Sequence, residues 1–406
     1  MKKPFRLIAA LLTLCVLTAS LPPVTIAAEE AAEAELPGLI DAANANGTVD
    51  LGGATVRLND TSNGGSKDAP YAVNKPVTIQ NGTIDVWAGG FVLNADVTFS
   101  NVTLQFPTNV GNYIVANGHT LTLNGVSCGG KSFNIYGGTI TGTYANFPIP
   151  NPGFNSEIII SGNTGLQGSM VNGNIYAGNL FRSTDGQNPT EQFDGDVTIS
   201  VDGAVSTGAL GAIYACGAEQ NGSTAPANPN YTINGTVAVS GAKIPDVYGG
   251  GSTATNVSYR GDGYQATKTF EDISRLDVES GNLALTGSSY FRNNGALSVS
   301  SGAKLDLRSA DAANLNIYDF TGNGGFLFLA PDQTFNMSGQ VSGTTKLAIG
   351  GMNSGNTGSL RPSTSGHVYI YAPNSGNNAF ELLPYDTQPN MTLVNDSGNW
   401  TASDGS

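Results

Sequence analysis

Two hydrophobic periods meet in LPGLIDAANANGTVDLGGATVRL, residues 36–58. Leu36, Leu39, Ile40 and Ala43 fall at i, i+3, i+4 and i+7, which is one face of a helix. Pro37 suits the first turn, where its missing N–H leaves no bond unmade. Gly47 stands where a helix commonly takes a left-handed cap. Beyond it the period drops to two. Val49 and Leu51 alternate with Thr48 and Asp50, and Val56 and Leu58 follow Gly52-Gly53. The chain then repeats short strands rich in Val, Ile, Leu and Thr, broken by Gly and Asn. PVTIQNGTIDV begins at Pro76, DVTFSNVTLQF at Asp96 and HTLTLNGVSC at His119. Further members begin at Glu157, Asp196, Gly235, Arg275, Ala296, Thr345 and His367.

The leading apolar positions Val77, Val97 and Leu121 are spaced by 20 and 24 residues, near the length of one coil of a solenoid. The pattern predicts an all-β chain: a right-handed parallel β-helix (solenoid) with a short N-terminal capping helix. Such a helix would close the open apolar end and unpaired backbone of the first coil. The competing reading is an ordinary helix on the edge of a sandwich. Residues 29–46 are assigned to the cap and 47–406 to the β-helix, as one domain. It would make roughly 15 coils, a rod of about 70 Å at one strand spacing per coil. Asn and Gly are expected at the corners, where φ is often positive. Pro/Asn/Gly-rich insertions at 142–155, 181–195 and 217–231 are expected to project from a corner. Tandem immunoglobulin-like sandwiches are the runner-up, but no Cys…Trp…Cys landmark supports them and the opening helix would be unexplained.

LIDAANANGTVDLGGATVRL resembles the opening segment of pectate-lyase-like β-helix proteins, a helix followed by G-T-V-x-L and a second short strand. DVTFSNVTLQF and NGHTLTLNG resemble rungs of the same superfamily, and the whole chain resembles bacterial adhesin-like β-helical surface proteins. This resemblance implies a secreted or cell-surface location and leaves open whether the fold carries an enzyme.

Residues 1–28 read as a signal peptide. Lys2, Lys3 and Arg6 precede an apolar run, and Thr25-Ile26-Ala27-Ala28 offers small residues for cleavage. The run is short for a membrane span, so no membrane insertion is expected after signal removal. Leu14 before Cys15 is a poor fit to a lipoprotein box. The chain carries 17 basic and 31 acidic residues. Losing Lys2, Lys3 and Arg6 leaves 14 against 31, a net of −17, which argues against nucleic acid and anionic membranes as partners. The C-terminus NWTASDGS shows no closing helix and no Leu-Pro-x-Thr-Gly anchor. Two expectations stand, a released protein or the front of a longer chain, with the second slightly favoured.

Cys128 and Cys216 remain after processing, several coils apart. Strand spacing puts them beyond disulfide reach, so two free buried thiols are expected. No Cys/His spacing suggests zinc, and no cofactor or metal is expected. Catalysis on this fold would need converging carboxylates, whereas acidic residues here are scattered. Asp194 and Asp196 form a D-x-D, read as a solvated corner rather than a metal site. His119, in Gly-His-Thr, reads as a structural rung residue. Arg260, Lys268 and Arg275 among Asp262, Glu271, Asp272 and Asp277 read as a solvated loop with ion pairs.

One internal repeat stands out. Asn134-Ile135-Tyr136-Gly137-Gly138 recurs as Asn174-Ile175-Tyr176-Ala177-Gly178, Ile213-Tyr214-Ala215-Cys216-Gly217 and Val247-Tyr248-Gly249-Gly250-Gly251. If Ile135, Ile175, Ile213 and Val247 point inward, alternation turns Tyr136, Tyr176, Tyr214 and Tyr248 outward as a row. Such a row can stack on sugar rings. It can equally be a structural ladder, its rings stacking on one another. Three functions follow from these features: non-enzymatic adhesion or contact with a polysaccharide or host or cell-wall glycan; a polysaccharide lyase or glycoside hydrolase; or a structural stalk. The sequence carries no signal of oligomeric state.

Overall fold

The computed structural model describes residues 24–25, 35–58, 70–86, 90–106, 112–142, 154–168, 173–182, 195–202, 210–215, 218–219, 236–241, 246–249, 254–285, 291–310, 316–330, 333–349, 368–382 and 392–403. Among them there is one helix, Leu36–Ala42, and everything else regular is β-strand. No helix of the described residues is long and apolar enough to cross a membrane. The three predicted corner insertions lie mostly outside the described residues.

The helix is shorter than the 29–46 segment assigned to it. Leu36 and Ile40 are buried, as is Ala43, and Leu39 packs half-buried against the same core. Its C-cap is Ala43, extended at φ −69° and ψ 151°. Gly47 is therefore not a left-handed cap. It opens the strand Gly47–Asp50, and the left-handed residue is Asn46, at φ 58°. Gly47 is needed for space: a Cβ there would sit 2.6 Å from the Asn44 carbonyl oxygen. The last helical carbonyls are met by Lys75, whose ammonium donates to the Asp41 and Ala43 oxygens. A cation at this end also suits the helix dipole.

After the helix the chain enters two sheets in turn. Tyr71–Val73, Phe91–Leu93, Tyr113–Val115 and Asn134–Tyr136 begin an eight-stranded sheet. Val77–Asp85, Val97–Phe106 and Thr120–Asn124, which follow them, belong to a seventeen-stranded sheet. The described pairs in both sheets are parallel. Register stacks like on like. Val77, Val97, Leu121, Ile158, Ile199, Val239, Val257, Leu276, Leu297, Phe320 and Val341 form one column through the long sheet. Ten of these eleven side chains are buried; that of Val239 is outside the described set. Leu283, Leu305, Leu327, Leu347 and Leu382 form a second column. Burying each such side chain is worth about 1.5–3 kcal/mol.

Each long strand turns a corner. Val97 and Phe99 are buried, and the next buried residues are Val102, Leu104 and Phe106. Strict alternation would send Val102 outward. Asn101, at φ 52°, breaks the phase and keeps the second limb facing the core. Asn81 occupies the matching position of Val77–Asp85 at φ 58°. Gly125 and Gly162 continue the column at φ 66° and 61°. Gly and Asn enter this region at less cost than most residues, and here the corner is written as N-V, N-G and S-G-N.

One outward column of the long sheet is polar and almost uncharged. Thr48, Thr78, Thr98, Thr122, Ile159, Ser200, Ser240, Ser258, Asp277, Ser298, Thr321 and Ser342 share one column, in which only Ile159 and Asp277 lack a hydroxyl. Hydroxyls take the place of the Lys and Glu that soluble sheets usually expose, which accounts for a charged fraction of only 12%.

A five-stranded sheet ends the described chain: Asn316–Ile317, Thr334–Met337, Val368–Tyr371, Asn399–Ser403 and Thr392–Asp396. Its first three strands are parallel, and its last two form an antiparallel hairpin. Trp400 of the hairpin is 4% exposed and meets Phe380 edge to face at 5.2 Å.

Cys128 is free and half-buried against the core, rather than fully inside it. Its Sγ donates to the Lys131 carbonyl at 2.9 Å, and burial pushes its pKa to about 11. Cys216 lies outside the described residues.

Candidate functional site

The tyrosine repeat occupies the eight-stranded sheet. Ile135, Ile175, Ile213 and Val247 form one register column, and Tyr136, Tyr176, Tyr214 and Tyr248 form the next. The first column is buried in the main core. The tyrosines point to the other side, and their rings stack at 5.0, 5.1 and 5.0 Å with interplanar angles of 12°, 14° and 14°.

That other side is covered along part of the ladder. After Tyr136, Tyr176 and Tyr214 the chain goes on to the three strands of a small sheet, Ile140–Gly142, Leu180–Arg182 and Ala218–Glu219. Ile140 and Leu180 pack with Val92, Tyr113, Val115, Tyr136 and Tyr176 in a second hydrophobic cluster, and Tyr214 is half-buried against it. Tyr136 and Tyr176 are each 1% exposed, so their rings present no face to a ligand. Tyr214 and Tyr248 are half-buried. The open end of the ladder is therefore Tyr214 and Tyr248, with Glu271 next in the same column.

The residue two before Tyr136, Tyr176 and Tyr248 ties one rung to the next; before Tyr214 that place is Ala212, whose side chain accepts no such bond. Asn134 Oδ1 accepts from the Asn174 amide and Asn174 Oδ1 from the Ala212 amide, both at 2.9 Å. Asp246 Oδ1 accepts from the Thr269 amide at 2.8 Å. Asn174 Nδ2 also donates to the Tyr176 hydroxyl at 3.1 Å. The N-I-Y signature is thus a backbone-pinning device as well as an aromatic one.

Burial pushes the Tyr136 phenol well above its ordinary value, Tyr176 adds to the rise and Asn134 offsets part of it. The Tyr248 phenol is raised too, by burial first and then by Asp246 and Glu271. The unfolded chain releases these protons near pH 10, the folded chain only above that. This contribution to stability is complete below about pH 10 and is lost as pH rises through the folded values. Tyr136→Phe is expected to flatten that alkaline limb by about one proton of slope, read from urea midpoints across the alkaline range. An unchanged slope would place the linkage on other groups.

The remaining charged candidates are dispersed. Asp196 is exposed, and Asp194 lies outside the described residues, as does His367. His119 sits 3.8 Å from Asp96 Oδ1; burial lowers its pKa and Asp96 counters this. The Arg260–Asp277 window is strand rather than the loop expected from sequence, though its ions do pair. Arg275 donates to both oxygens of Asp277 at 2.7 and 2.8 Å, Ser298 donates to the same carboxylate, and Arg260 pairs with Glu279. The side chains of Asp262 and Lys268 are outside the described set. Among the described residues no three His, Cys, Asp or Glu side chains gather as metal ligands.

Reading the tyrosine repeat alone misses another aromatic group. Tyr318, Tyr369 and Tyr371 are 43%, 47% and 45% exposed, more open than any rung of the ladder. Their signal in the sequence is the alternation V-Y-I-Y at 368–371, which places both tyrosines opposite Val368 and Ile370.

No known protein family, curated protein or solved structure matches the chain.

Proposed function

We propose that this is a secreted or cell-surface, non-enzymatic protein of bacterial adhesin-like character, acting in adhesion or glycan contact on a right-handed parallel β-helix of the pectate-lyase-like kind. Three features support the architecture: parallel apolar columns, left-handed Asn and Gly residues at the described corners, and a helix that buries one face before the first coil. Right-handed crossovers are the general rule for parallel strands. The basic start and apolar run of residues 1–28 support secretion.

One observation carries the function. The tyrosine ladder passes from closed rungs at Tyr136 and Tyr176 to half-buried rungs at Tyr214 and Tyr248, beside the carboxylates of Asp246 and Glu271. Stacked neighbours hold the last ring at a fixed angle, so a sugar docking on it pays little ordering entropy. The carboxylates supply acceptors for sugar hydroxyls.

The test is a glycan array probed with the wild-type chain and with Tyr248→Ala, run beside a reducing-sugar assay. Binding without turnover, weakened about tenfold in the variant, is expected. A normal array signal from Tyr248→Ala would reject the ladder end as the contact, and sugar release by the wild type would reject the non-enzymatic reading.

A further inference from the structure

The exposed large hydrophobic side chains of the described residues are Tyr318, Tyr369, Tyr371 and Val394, at 43%, 47%, 45% and 57%. Three of them belong to the five-stranded C-terminal sheet, and Tyr318 directly follows its first strand. Large exposed apolar groups gathered in one place mark a contact surface far better than the same groups scattered.

Alternation separates the two faces of this sheet. Ile317, Phe335, Met337, Val368 and Ile370 are buried. The opposite face carries two register rows. One runs Thr334, Tyr369, Thr401, Val394, and the other Asn316, Asn336, Tyr371, Asn399, Asp396. Tyr369 and Tyr371 stand about 7 Å apart on one strand, with amides and hydroxyls on both sides. Asn336 Nδ2 donates to Asn316 Oδ1 at 2.8 Å, which fixes that amide pair within the row.

We propose that this face binds a neutral glycan chain, with Tyr369 and Tyr371 stacking on neighbouring sugar rings. The amide and hydroxyl groups beside them would bond the sugar hydroxyls. Neutrality follows from charge: the two rows hold no Lys or Arg, their one charged member is Asp396, and the whole chain has a formal charge of −14. A uronate, sulfate or phosphate would meet repulsion and find no cation. The proposal rests on the reading of the chain as a glycan-contacting protein and adds a second contact, on a different surface from the ladder end.

Calorimetric titration of the full chain with neutral hexasaccharides (β-1,4-linked glucose, N-acetylglucosamine and xylose) and with oligogalacturonate separates the possibilities. Binding is expected for at least one neutral sugar, with none for oligogalacturonate. Tyr369→Ala and Tyr371→Ala should each weaken it about tenfold, while Tyr371→Trp, which keeps an aromatic face, should hold near wild type. Unchanged circular dichroism and melting would show that the alanine variants are folded.

Full affinity in the Tyr369→Ala/Tyr371→Ala double variant would overturn the proposal. Loss in Tyr248→Ala with full affinity in both Tyr369→Ala and Tyr371→Ala would leave the ladder end as the glycan contact and remove it from this face. Wild-type silence toward every neutral sugar would overturn it too. If sedimentation then showed a concentration-dependent dimer abolished by the double variant, the face would belong to a second copy of the chain.

Discussion

Tyr176→Ala is expected to destabilise the protein by about 3–5 kcal/mol, the range for truncating a buried aromatic ring. Tyr176 is 1% exposed and stacks between Tyr136 at 5.0 Å and Tyr214 at 5.1 Å. Its removal opens a ring-sized gap between two flat neighbours. They cannot close it, because backbone hydrogen bonds fix the spacing of the rungs. Ile140 and Leu180, from the strands that cover the ladder, belong to the same hydrophobic cluster. Tyr176→Phe keeps the ring and loses the bond from Asn174, so it should cost about 1 kcal/mol. Urea unfolding with unchanged slope is the measurement. A cost below about 1 kcal/mol for the alanine variant would mean that the ladder is dispensable to stability. In the double variant with Tyr136→Ala the costs should not add, since the two rings share one contact.

Gly162→Val is the second large effect, about 2–5 kcal/mol. Gly162 takes φ 61°, a region that costs an L-residue about 1–2 kcal/mol and more with a branched Cβ. A Cβ there would lie 2.6 Å from Asn124 Oδ1 and 2.8 Å from the Gly125 nitrogen. The second contact is backbone of the neighbouring corner, whose Gly125 amide is already bonded to the Ser161 carbonyl. Overpacking of this sort adds about 1–3 kcal/mol. Gly376→Ala is the control. Nothing lies within 4 Å of its would-be Cβ, and a surface change of that kind stays within about 0.5 kcal/mol. Equal melting temperatures for Gly162→Val and Gly376→Ala would refute the corner argument.

Much of this arrangement was legible in the chain. The strands at 77, 97 and 121 announce their own column through Val77, Val97 and Leu121. The helix is readable from Leu36, Ile40 and Ala43, although its end is not. Ala43 leaves it in an extended conformation, and a lysine far along the sequence, Lys75, satisfies carbonyls that a local glycine was expected to serve. The tyrosine repeat was readable both as a row and as a ladder, and alternation correctly separates Ile135 from Tyr136. What alternation does not contain is the cover. Ile140–Gly142 and Leu180–Arg182 are three residues each, too short to show a period, and they reach the ladder only because the Gly corner folds them over it.

The C-terminal face shows the same division. V-Y-I-Y states that Tyr369 and Tyr371 share a side. Their neighbours Asn336 and Asn399 come from strands tens of residues away on either side, and no local pattern joins them.

The sequence by itself determined which side chains avoid water, where Asn or Gly would let the chain turn, and how often it turns. These depend on side-chain polarity and on allowed φ, properties of a residue and its near neighbours. Tertiary structure alone decided what lies across each outward face. It buried Tyr136 and Tyr176, left Tyr214 and Tyr248 partly open, and set Tyr369 and Tyr371 among amides and hydroxyls on one surface with no Lys or Arg. Exposure on an outward face is set by contacts from other layers, and those contacts form only when segments far apart in the chain come to rest against one another.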